Sequence, residues 1–342
     1  MPTPTTVDQD LVEMMSSLFA NHREHHAPEI GTARLDIGLW NHLDELGLVR
    51  FTGREEYGGS GASWFEAAEL LRATAWNGVR VPLPEHDLLA GWLLDVAGLA
   101  VDEKRRTVCV LDDNGTASGV PWAAASEKVV TVWRQSGTYR VADVETSALT
   151  VTTGANIANE PRDTVAADIT TLAGTPVADA VIDQLRLRGA LVRGLQVCAA
   201  LERILDLSIA HTTERIQFGR ALAQFQAVQN LVADIAAETS LARAATDAAL
   251  IQAVRTDWSG TNLEFPIAVA RSCAGHAASV VVRNAHQVHG AIGTTREHRL
   301  HEFTNSALAW RSEFGSVHHW DDTLTTAAVS AGRKDLWRLI TG

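Results

Sequence analysis

Two segments in the C-terminal half carry side chains suited to binding an anionic cofactor. The first includes Arg215 and Gln226, and the second includes Gln287, Gly290 and Gly293. The planar guanidinium of an arginine offers a fixed fork of donors to phosphate oxygens. Amide side chains can bond the polar edge of a sugar or base, and glycines let a backbone approach without interference from a Cβ atom. These residue types are compatible with binding an anionic ligand.

The same residues have simpler interpretations when each is taken alone. Arg215 could be a solvated charge that pairs with Glu214 or Glu238, since most arginines are exposed. Phe225 and Val228 could belong to a core stripe at helical spacing. Only the surrounding motifs favour a role in cofactor binding, so both interpretations stay open for the single residues.

Two further patterns are better explained without a ligand. The glycine-rich segment 58–61 follows no strand and lacks the lysine of a phosphate-binding loop, so we interpret it as structural. Histidines cluster at 22–26 and at 318–319 without an HExxH motif or paired cysteines. Adjacent histidines on a helix diverge by about 100°. We therefore expect solvated helix faces there and no metal site.

The elements that must position these residues follow an α–β–α order. Apolar residues at helical spacing dominate residues 1–103, and apolar helical stripes return over 179–342, where they predict a bundle. Between them, residues 104–178 contain short β-branched runs separated by turn residues. The strands predicted there lie at 107–111, 129–133, 139–144, 149–153 and 164–172. The predicted fold class is α+β and mostly α, with three domains at these boundaries.

Composition and charge limit the function classes. The 342 residues carry a net charge of −12, which argues against nucleic-acid binding because phosphate backbones require a concentrated basic surface. The three cysteines are far apart in apolar settings, so we expect buried, reduced thiols. The chain opens without a basic–apolar leader, and no apolar run approaches the roughly 18 residues of a membrane span. We expect a cytoplasmic protein that binds neither nucleic acid nor membrane.

Three motifs together resemble signatures of the acyl-CoA dehydrogenase family. Residues 214–229 are similar to the family pattern R-x-x-F-G-x-x-x-x-x-Q, and residues 287–294 are similar to Q-x-x-G-G-x-G. Residues 55–59 read E-E-Y-G-G, like an N-terminal loop of the family. The resemblance covers most of the chain. It implies the acyl-CoA dehydrogenase fold, with an N-terminal helical domain, a small β domain and a C-terminal four-helix bundle.

The resemblance implies FAD as the cofactor and α,β-dehydrogenation of an acyl-CoA thioester as the reaction. It also implies a cofactor site that lies largely across a subunit interface, in an oligomer that is typically a dimer of dimers. The flavin supplies the redox chemistry and the protein supplies position, base and hydrogen-bond donors. The residues implied to contact FAD are Arg215, Gln217, Phe218, Phe225, Gln226, Gln287, Gly290, Ala291 and Ser316.

The reaction that the resemblance implies needs a carboxylate base in a desolvated pocket. Glu313 is the candidate, since residues 310–316 stand where the family has a segment like Y-E-G-T-S. Phe314 takes the place of the family's glycine, and a shift of one residue would put a phenylalanine at the base position. A solvated glutamate at a helix end is the alternative interpretation of Glu313. The other family position for a base, at 186–190, carries no carboxylate.

Other departures resemble the short subunits of heterotetrameric acyl-CoA dehydrogenases from steroid-degrading bacteria. The β unit is shorter than in the family, residues 119–123 stand in place of a T-E-P-x-A-G-S-D segment, and Ala291 replaces a glycine. Three hypotheses follow. The chain is a short partner that completes a shared FAD site with a full-length subunit, a self-sufficient homo-oligomer that uses Glu313, or a scaffold of the same fold without a redox role.

Overall fold

The chain forms two compact units in the computed structural model, which describes residues 7–26, 31–259 and 263–341. The first unit ends at Gly189 and the second begins at Ala190. The first contains helices followed by seven of the strands found in the described residues, and the second is almost entirely helical. The predicted α–β–α order and the mostly α content are confirmed, whereas the division into three domains stays a prediction.

Helices with polar N-caps form the start of the first unit. Asp8 and Asp36 each accept a backbone N–H of the helix that follows, and Ser63 forms a capping box. Apolar faces of the first and third helices pack together. The elements are α1 Gln9–His25, α2 Ile37–Glu45, α3 Trp64–Asn77, a π-helical turn Pro84–Gly91 and α4 Trp92–Val96.

The loop between α2 and α3 requires glycine at Gly59. A Cβ atom there would lie 2.2 Å from the carbonyl of Gly53, so no larger residue fits. Gly58 has a φ of 78°, which glycine adopts without strain. Arg50 holds the loop by donating to the carbonyl oxygen of Tyr57 at 2.9 Å. This close packing explains the glycine cluster without a ligand.

Two sheets pack face to face after α4. One has the order β1-β3-β4-β7 and the other has the order β2-β6-β5. Trp133 of the first sheet and Val165 of the second are fully buried in their shared core. The strands are β1 Arg106–Val110, β2 Thr116–Pro121, β3 Lys128–Gln135, β4 Thr138–Glu145, β5 Thr150–Thr152, β6 Arg162–Ala166 and β7 Thr175–Val177.

Sequence patterns predict five of these seven strands and miss β2 and β7, and the strand predicted at 164–172 overlaps β6 only as far as Ala166. Gly119 lies within β2, where the pairing with β6 shifts register between Ala117 and Val120, so apolar residues do not alternate. Pro176 lies in β7, a three-residue strand at the edge of its sheet. Glycine and proline both argue against a strand in a linear pattern, although bulges and edges tolerate them.

Long helices make up most of the second unit. Its first helix, α5, starts before the boundary, and α9 is interrupted at Gly332, where φ is 63°. The elements are α5 Asp179–Glu214, β8 Ile216–Gln217, β9 Arg220–Ala221, α6 Gln226–Arg255, α7 Glu264–His289, α8 Leu300–Trp310 and α9 Val317–Thr341.

One helical stretch among the described residues, Glu264–Thr294, is long and apolar enough to cross a membrane. It contains α7, which packs against α6 and α9, and 50 % of its most apolar window is buried. The core helix of a protein can be equally long and apolar. The packing of α7 against α6 and α9 assigns it to the core of the second unit. The sequence predicts buried thiols at all three cysteines, which is confirmed for Cys109 and Cys198, whereas Cys273 is only partly buried. Cys109 and Cys198 are buried free thiols, and burial raises the pKa of both to about 12.

Candidate functional site

The first motif segment forms the connection between α5 and α6. Arg215 follows the last residue of α5, and its backbone N–H donates to the carbonyl oxygen of His211 at 2.9 Å. Strand β8, which includes the partly buried Gln217, pairs with β9 across a turn at Phe218, where φ is 53°. Phe225 is the N-cap residue of α6. The connection therefore displays the motif side chains at the end of α5.

Most side chains of this connection face solvent. Arg215 and Gln226 are exposed, and Phe218 is 92 % exposed. The guanidinium carbon of Arg220 lies 4.0 Å from the centre of the Phe225 ring, which orients both side chains through a cation–π contact. A large apolar side chain exposed beside arginines is typical of a surface that another molecule covers.

The second motif segment ends α7. Gln287 and Ala291 are exposed, and Gly290 has φ 63° and ψ −144°, a conformation that glycine adopts readily and other residues do not. A Cβ atom at Gly290 would meet no atom within 4 Å, so the backbone is open to a ligand. At the buried Gly293, a Cβ atom would lie 2.9 Å from the side chain of His289. Gly293 therefore serves packing rather than ligand approach.

Stacked histidines bring the two segments together. His211 lies one helical turn before Arg215 and His289 directly precedes Gly290, and the two imidazole rings stack with centroids 4.4 Å apart. His298 completes a group whose candidate ligand atoms lie within 4.8 Å of one another. The end of α5 and the end of α7 are thus adjacent, so Arg215 and Gly290 belong to one surface.

Burial favours the neutral form of these histidines. It lowers the pKa of His289 to about 4, and it lowers the pKa of His211 and of His298 as well. Nδ1 of His289 donates to the carbonyl oxygen of Ala285 at 2.8 Å, which leaves a lone pair on its buried Nε2. This Nε2 has no hydrogen-bond partner among the described residues. Sequence patterns miss the group because its members lie on three separate segments.

Glu313, the candidate base, accepts a hydrogen bond from a buried arginine. Its Oε2 lies 2.6 Å from Nε of Arg193, whose side chain is 1 % exposed. Arg193 also donates to Gln196 Oε1 at 2.6 Å, and Arg271 donates to the backbone oxygen of Glu313 at 2.9 Å. Glu313 is therefore not a solvated helix-end glutamate. The guanidinium of Arg193 stabilises the ionised carboxylate.

The predicted residues fall into two groups that are distant within this chain. Arg193 and Arg215 are about 20 residues apart along α5 and its end, which is roughly 30 Å at the helical rise. Since Glu313 contacts Arg193, it lies far from the surface that carries Arg215. Ser316 belongs with Glu313, and its Oγ accepts the backbone N–H of His319 at 3.1 Å at the start of α9. The motif surface and the candidate base do not form one site here.

A separate cavity of ≈ 260 Å³ lies in the first unit. In its wall, Asp87 accepts from the backbone N–H and the Oγ1 hydroxyl of Thr52 at 2.9 and 3.0 Å, and Arg188 lies over the Trp92 ring at 4.1 Å. Burial raises the pKa of Asp87 to about 7 and lowers the pKa of His86 to about 3. No sequence motif indicates these groups.

Asp87 is expected to make stability depend on pH. Its folded-state pKa exceeds the value of an unfolded aspartate, so stability is lost as pH rises toward the folded pKa and the buried carboxyl ionises. As the pH rises from about 5 to about 8, the free energy of unfolding of Asp87→Asn should increase by on the order of 3 kcal/mol relative to that of the parent chain. Urea denaturation at both pH values tests this. Asp95→Asn, a more exposed position, is the control, and equal pH dependence of Asp87→Asn and parent would contradict the assignment.

Two family models match most of the chain. The acyl-CoA dehydrogenase C-terminal domain matches residues 147–317, and the acyl-CoA dehydrogenase N-terminal domain matches residues 5–101. The chain belongs to the acyl-CoA dehydrogenase family. The function of that family is the FAD-dependent dehydrogenation of an acyl-CoA, an oxidation of a CH–CH bond.

Two related sequences cover more than four fifths of the chain. Acyl-CoA dehydrogenase IpdE2 of Mycolicibacterium smegmatis is 28 % identical over 289 residues, or 81 % of this chain and 85 % of the relative. Acyl-CoA dehydrogenase IpdE2 of Mycobacterium tuberculosis is 27 % identical over 320 residues, or 89 % of this chain and 92 % of the relative.

Solved structures confirm the predicted acyl-CoA dehydrogenase fold. A chain of the ChsE4–ChsE5 complex from Mycobacterium tuberculosis has a TM-score of 0.80 at 19 % identity, covering 96 % of this chain and 99 % of that chain. A variant of the Tcur3481–Tcur3483 steroid ACAD has a TM-score of 0.81 at 20 % identity, and the match covers 94 % of this chain and 97 % of that chain. At these identities the likeness concerns the fold alone.

The exposed motif surface of this acyl-CoA dehydrogenase fits a flavin dinucleotide. Within the described ranges Arg215 makes no ion pair, so its donors are available to an anionic pyrophosphate. Gln226 and Gln287 expose amides, and the backbone at Gly290 has open space above it. The interpretation of Arg215 as the ion-pair partner of a neighbouring glutamate has no support.

Proposed function

We propose that this chain is the short, non-catalytic subunit of a heteromeric acyl-CoA dehydrogenase, in which it completes the FAD site of a full-length partner subunit. The observation that carries the proposal is the contrast between two groups of residues. The cofactor-type side chains, such as Arg215 and Gln226, are exposed between the end of α5 and the start of α6, whereas Glu313 is paired with the buried Arg193. The exposed side chains are available to a partner subunit, whereas the carboxylate charge of Glu313 is balanced by Arg193 within the chain.

The relatives support this choice of partner and substrate class. One structurally similar protein is described as a complex of ChsE4 with ChsE5, and another as a steroid ACAD that joins Tcur3481 with Tcur3483. By likeness to these assemblies, the partner is a full-length acyl-CoA dehydrogenase subunit and the substrate is an acyl-CoA thioester derived from a steroid. We place the assembly in the cytoplasm, since its three free thiols suit a reducing compartment.

The chain's contribution to the shared site is binding and orientation. Arg215 would neutralise the cofactor pyrophosphate with a bidentate fork, and Gln226 and Gln287 would hydrogen-bond its nucleotide edge. Phe218 would cover apolar surface of the partner and exclude water from the ion pairs. The chemistry that bound FAD supplies is the acceptance of the substrate's β-hydrogen as a hydride. In this proposal the partner provides the carboxylate base.

Purification alone and with a partner tests the proposal. The chain is expressed by itself and together with full-length acyl-CoA dehydrogenases of the same genome, and visible absorption and native mass are recorded. We expect a colourless chain alone and a yellow complex that holds FAD with the partner. A yellow, active homo-oligomer with stoichiometric FAD would instead make the chain a self-sufficient enzyme. A stable complex with no FAD contact by this chain would leave only the scaffold role.

A further inference from the structure

A second group of functional side chains lies near the end of α1 in the first unit. An open cleft of ≈ 690 Å³ is lined by His22, His26 and Asp36, among others. Candidate ligand atoms of these three residues lie within 4.8 Å of one another. The two histidines are four residues apart, and this spacing puts them on one face of the helix. The expectation of solvated histidines is wrong for His22, whose side chain is 16 % exposed.

Backbone hydrogen bonds orient two of the three side chains. Nδ1 of His26 lies 3.0 Å from the carbonyl oxygen of His22, and since a carbonyl only accepts, Nδ1 carries the proton and Nε2 keeps its lone pair. Oδ1 of Asp36 accepts the backbone N–H of Leu39 at 2.9 Å, and Oδ2 lies 3.8 Å from Nε2 of His22. Bonds of this kind fix the tautomer and direction of ligands in metal sites.

We propose that His22, His26 and Asp36 form a binding site for a divalent transition-metal ion of the zinc class. Two imidazoles and one carboxylate suit such ions, whereas Mg²⁺ and Ca²⁺ select oxygen ligands. The remaining coordination positions face the open cleft and are filled by water. The inference concerns a site apart from the cofactor surface and does not depend on the proposed function.

The group lies close to the geometry that an ion requires. With ligand bonds of about 2.0–2.2 Å, tetrahedral ligand atoms are roughly 3.3 Å apart. The present separation of His22 Nε2 and Asp36 Oδ2 is 3.8 Å, so a shift of a fraction of an ångström suffices for this pair. The rings of His22 and His26 stack at 4.4 Å with an interplanar angle of 14°. The bond from His26 Nδ1 to the backbone is kept if the ring of His22 makes the adjustment, by rotation about its χ2 torsion.

Electrostatics at His22 also favour ligation. Desolvation lowers the pKa of His22, and the neighbouring His26 and Arg23 act in the same direction, while Asp36 opposes them. Burial thus acts toward the neutral form of the imidazole, which is the form that binds metals. An ion here would replace the weak contact between an imidazole and a carboxylate by two coordinate bonds.

The histidine group of the second unit is less suited to a metal. The backbone N–H of Leu300 donates to Nδ1 of His298 at 3.1 Å, so in the neutral ring the proton is on Nε2. An ion at that Nε2 would require the other tautomer and would break the backbone bond. His298 therefore provides a control that distinguishes the two groups.

A bound ion would join the last turn of α1 to the N-cap of α2. Since the ligands come together only in the folded chain, the ion would stabilise the folded state by RT ln(1 + [M]/Kd). The predicted consequence is a metal-dependent rise in the melting temperature of the N-terminal helices. Exposed ligand atoms on the cleft side leave an entry path from solvent.

Titration of the full, tag-free chain in its purified assembly tests the proposal. After treatment with a chelator, Co²⁺ is added and its visible ligand-field absorption recorded, and Zn²⁺ binding is measured by calorimetry. We expect one equivalent of ion and a raised melting temperature. His26→Gln and His22→Gln should each weaken Zn²⁺ binding at least about tenfold, since each removes one ligand. His25→Gln, one residue from the pair, and His298→Asn should bind as the parent does.

Two outcomes would overturn the assignment. One is unchanged Zn²⁺ affinity and stoichiometry in both His22→Gln and His26→Gln. The other is loss of the ion in His298→Asn, which would move the site to the second unit. His26 is exposed and follows the last residue of α1, so its replacement leaves the fold intact, and far-UV circular dichroism verifies this in every variant.

Discussion

Glu313→Gln is expected to lower the free energy of unfolding by about 3 kcal/mol, because it replaces a charged partner of a buried guanidinium by a neutral amide. The side chain of Arg193 is 1 % exposed, and its Nε lies 2.6 Å from Oε2 of Glu313, which belongs to the loop after α8. Urea denaturation of the purified assembly measures the loss. Glu297→Gln, at an exposed position of the same unit, is the matched control and should change stability by less than about 0.5 kcal/mol.

The same variant also decides whether Glu313 is a base. If the chain is a non-catalytic partner, turnover of the assembled complex per folded molecule stays at the parent value in Glu313→Gln. A general base removes a proton in the rate-determining chemistry, so its loss would reduce turnover by several orders of magnitude. Lost turnover with unchanged stability would contradict the proposal and favour a self-sufficient enzyme.

Arg215→Gln is expected to weaken FAD binding by the assembled complex by about tenfold to a hundredfold. A charge-assisted hydrogen bond contributes about 1.5–3 kcal/mol, and glutamine keeps a polar side chain without the charge or the fork. Fluorescence of released flavin during dilution measures the affinity. Since the lost interaction is ionic, the difference between parent and variant should shrink as salt increases.

Arg255→Gln is the matched control for this prediction. Arg255 is also exposed, but it ends α6, whereas the motif surface lies at the start of that helix. Its replacement should leave FAD affinity unchanged. Equal affinity in Arg215→Gln and parent would show that the arginine is a solvated surface charge, which is the interpretation that its residue type alone supports.

Local patterns in the sequence determine much of this protein. The helical period defines α5 to α7, short β-branched runs define five of the seven strands in the first unit, and the motifs at 214–229 and 287–294 identify the family. These features depend on residues close in sequence. A period of 3.6 or 2 residues, a turn, or a cofactor motif is complete within about 20 positions.

Tertiary structure alone decides which charged groups meet. Glu313 is a plausible base in the sequence, and only the structure shows that its carboxylate accepts a hydrogen bond from Arg193, 120 residues away. The pairing of His211 with His289 and of His26 with Asp36 depends in the same way on helix packing. Sequence spacing assigns a side chain to a face of a helix, but it does not show which other helix packs there. The chemistry of an ionisable group follows from that neighbour, because burial and charge within a few ångströms determine its protonation.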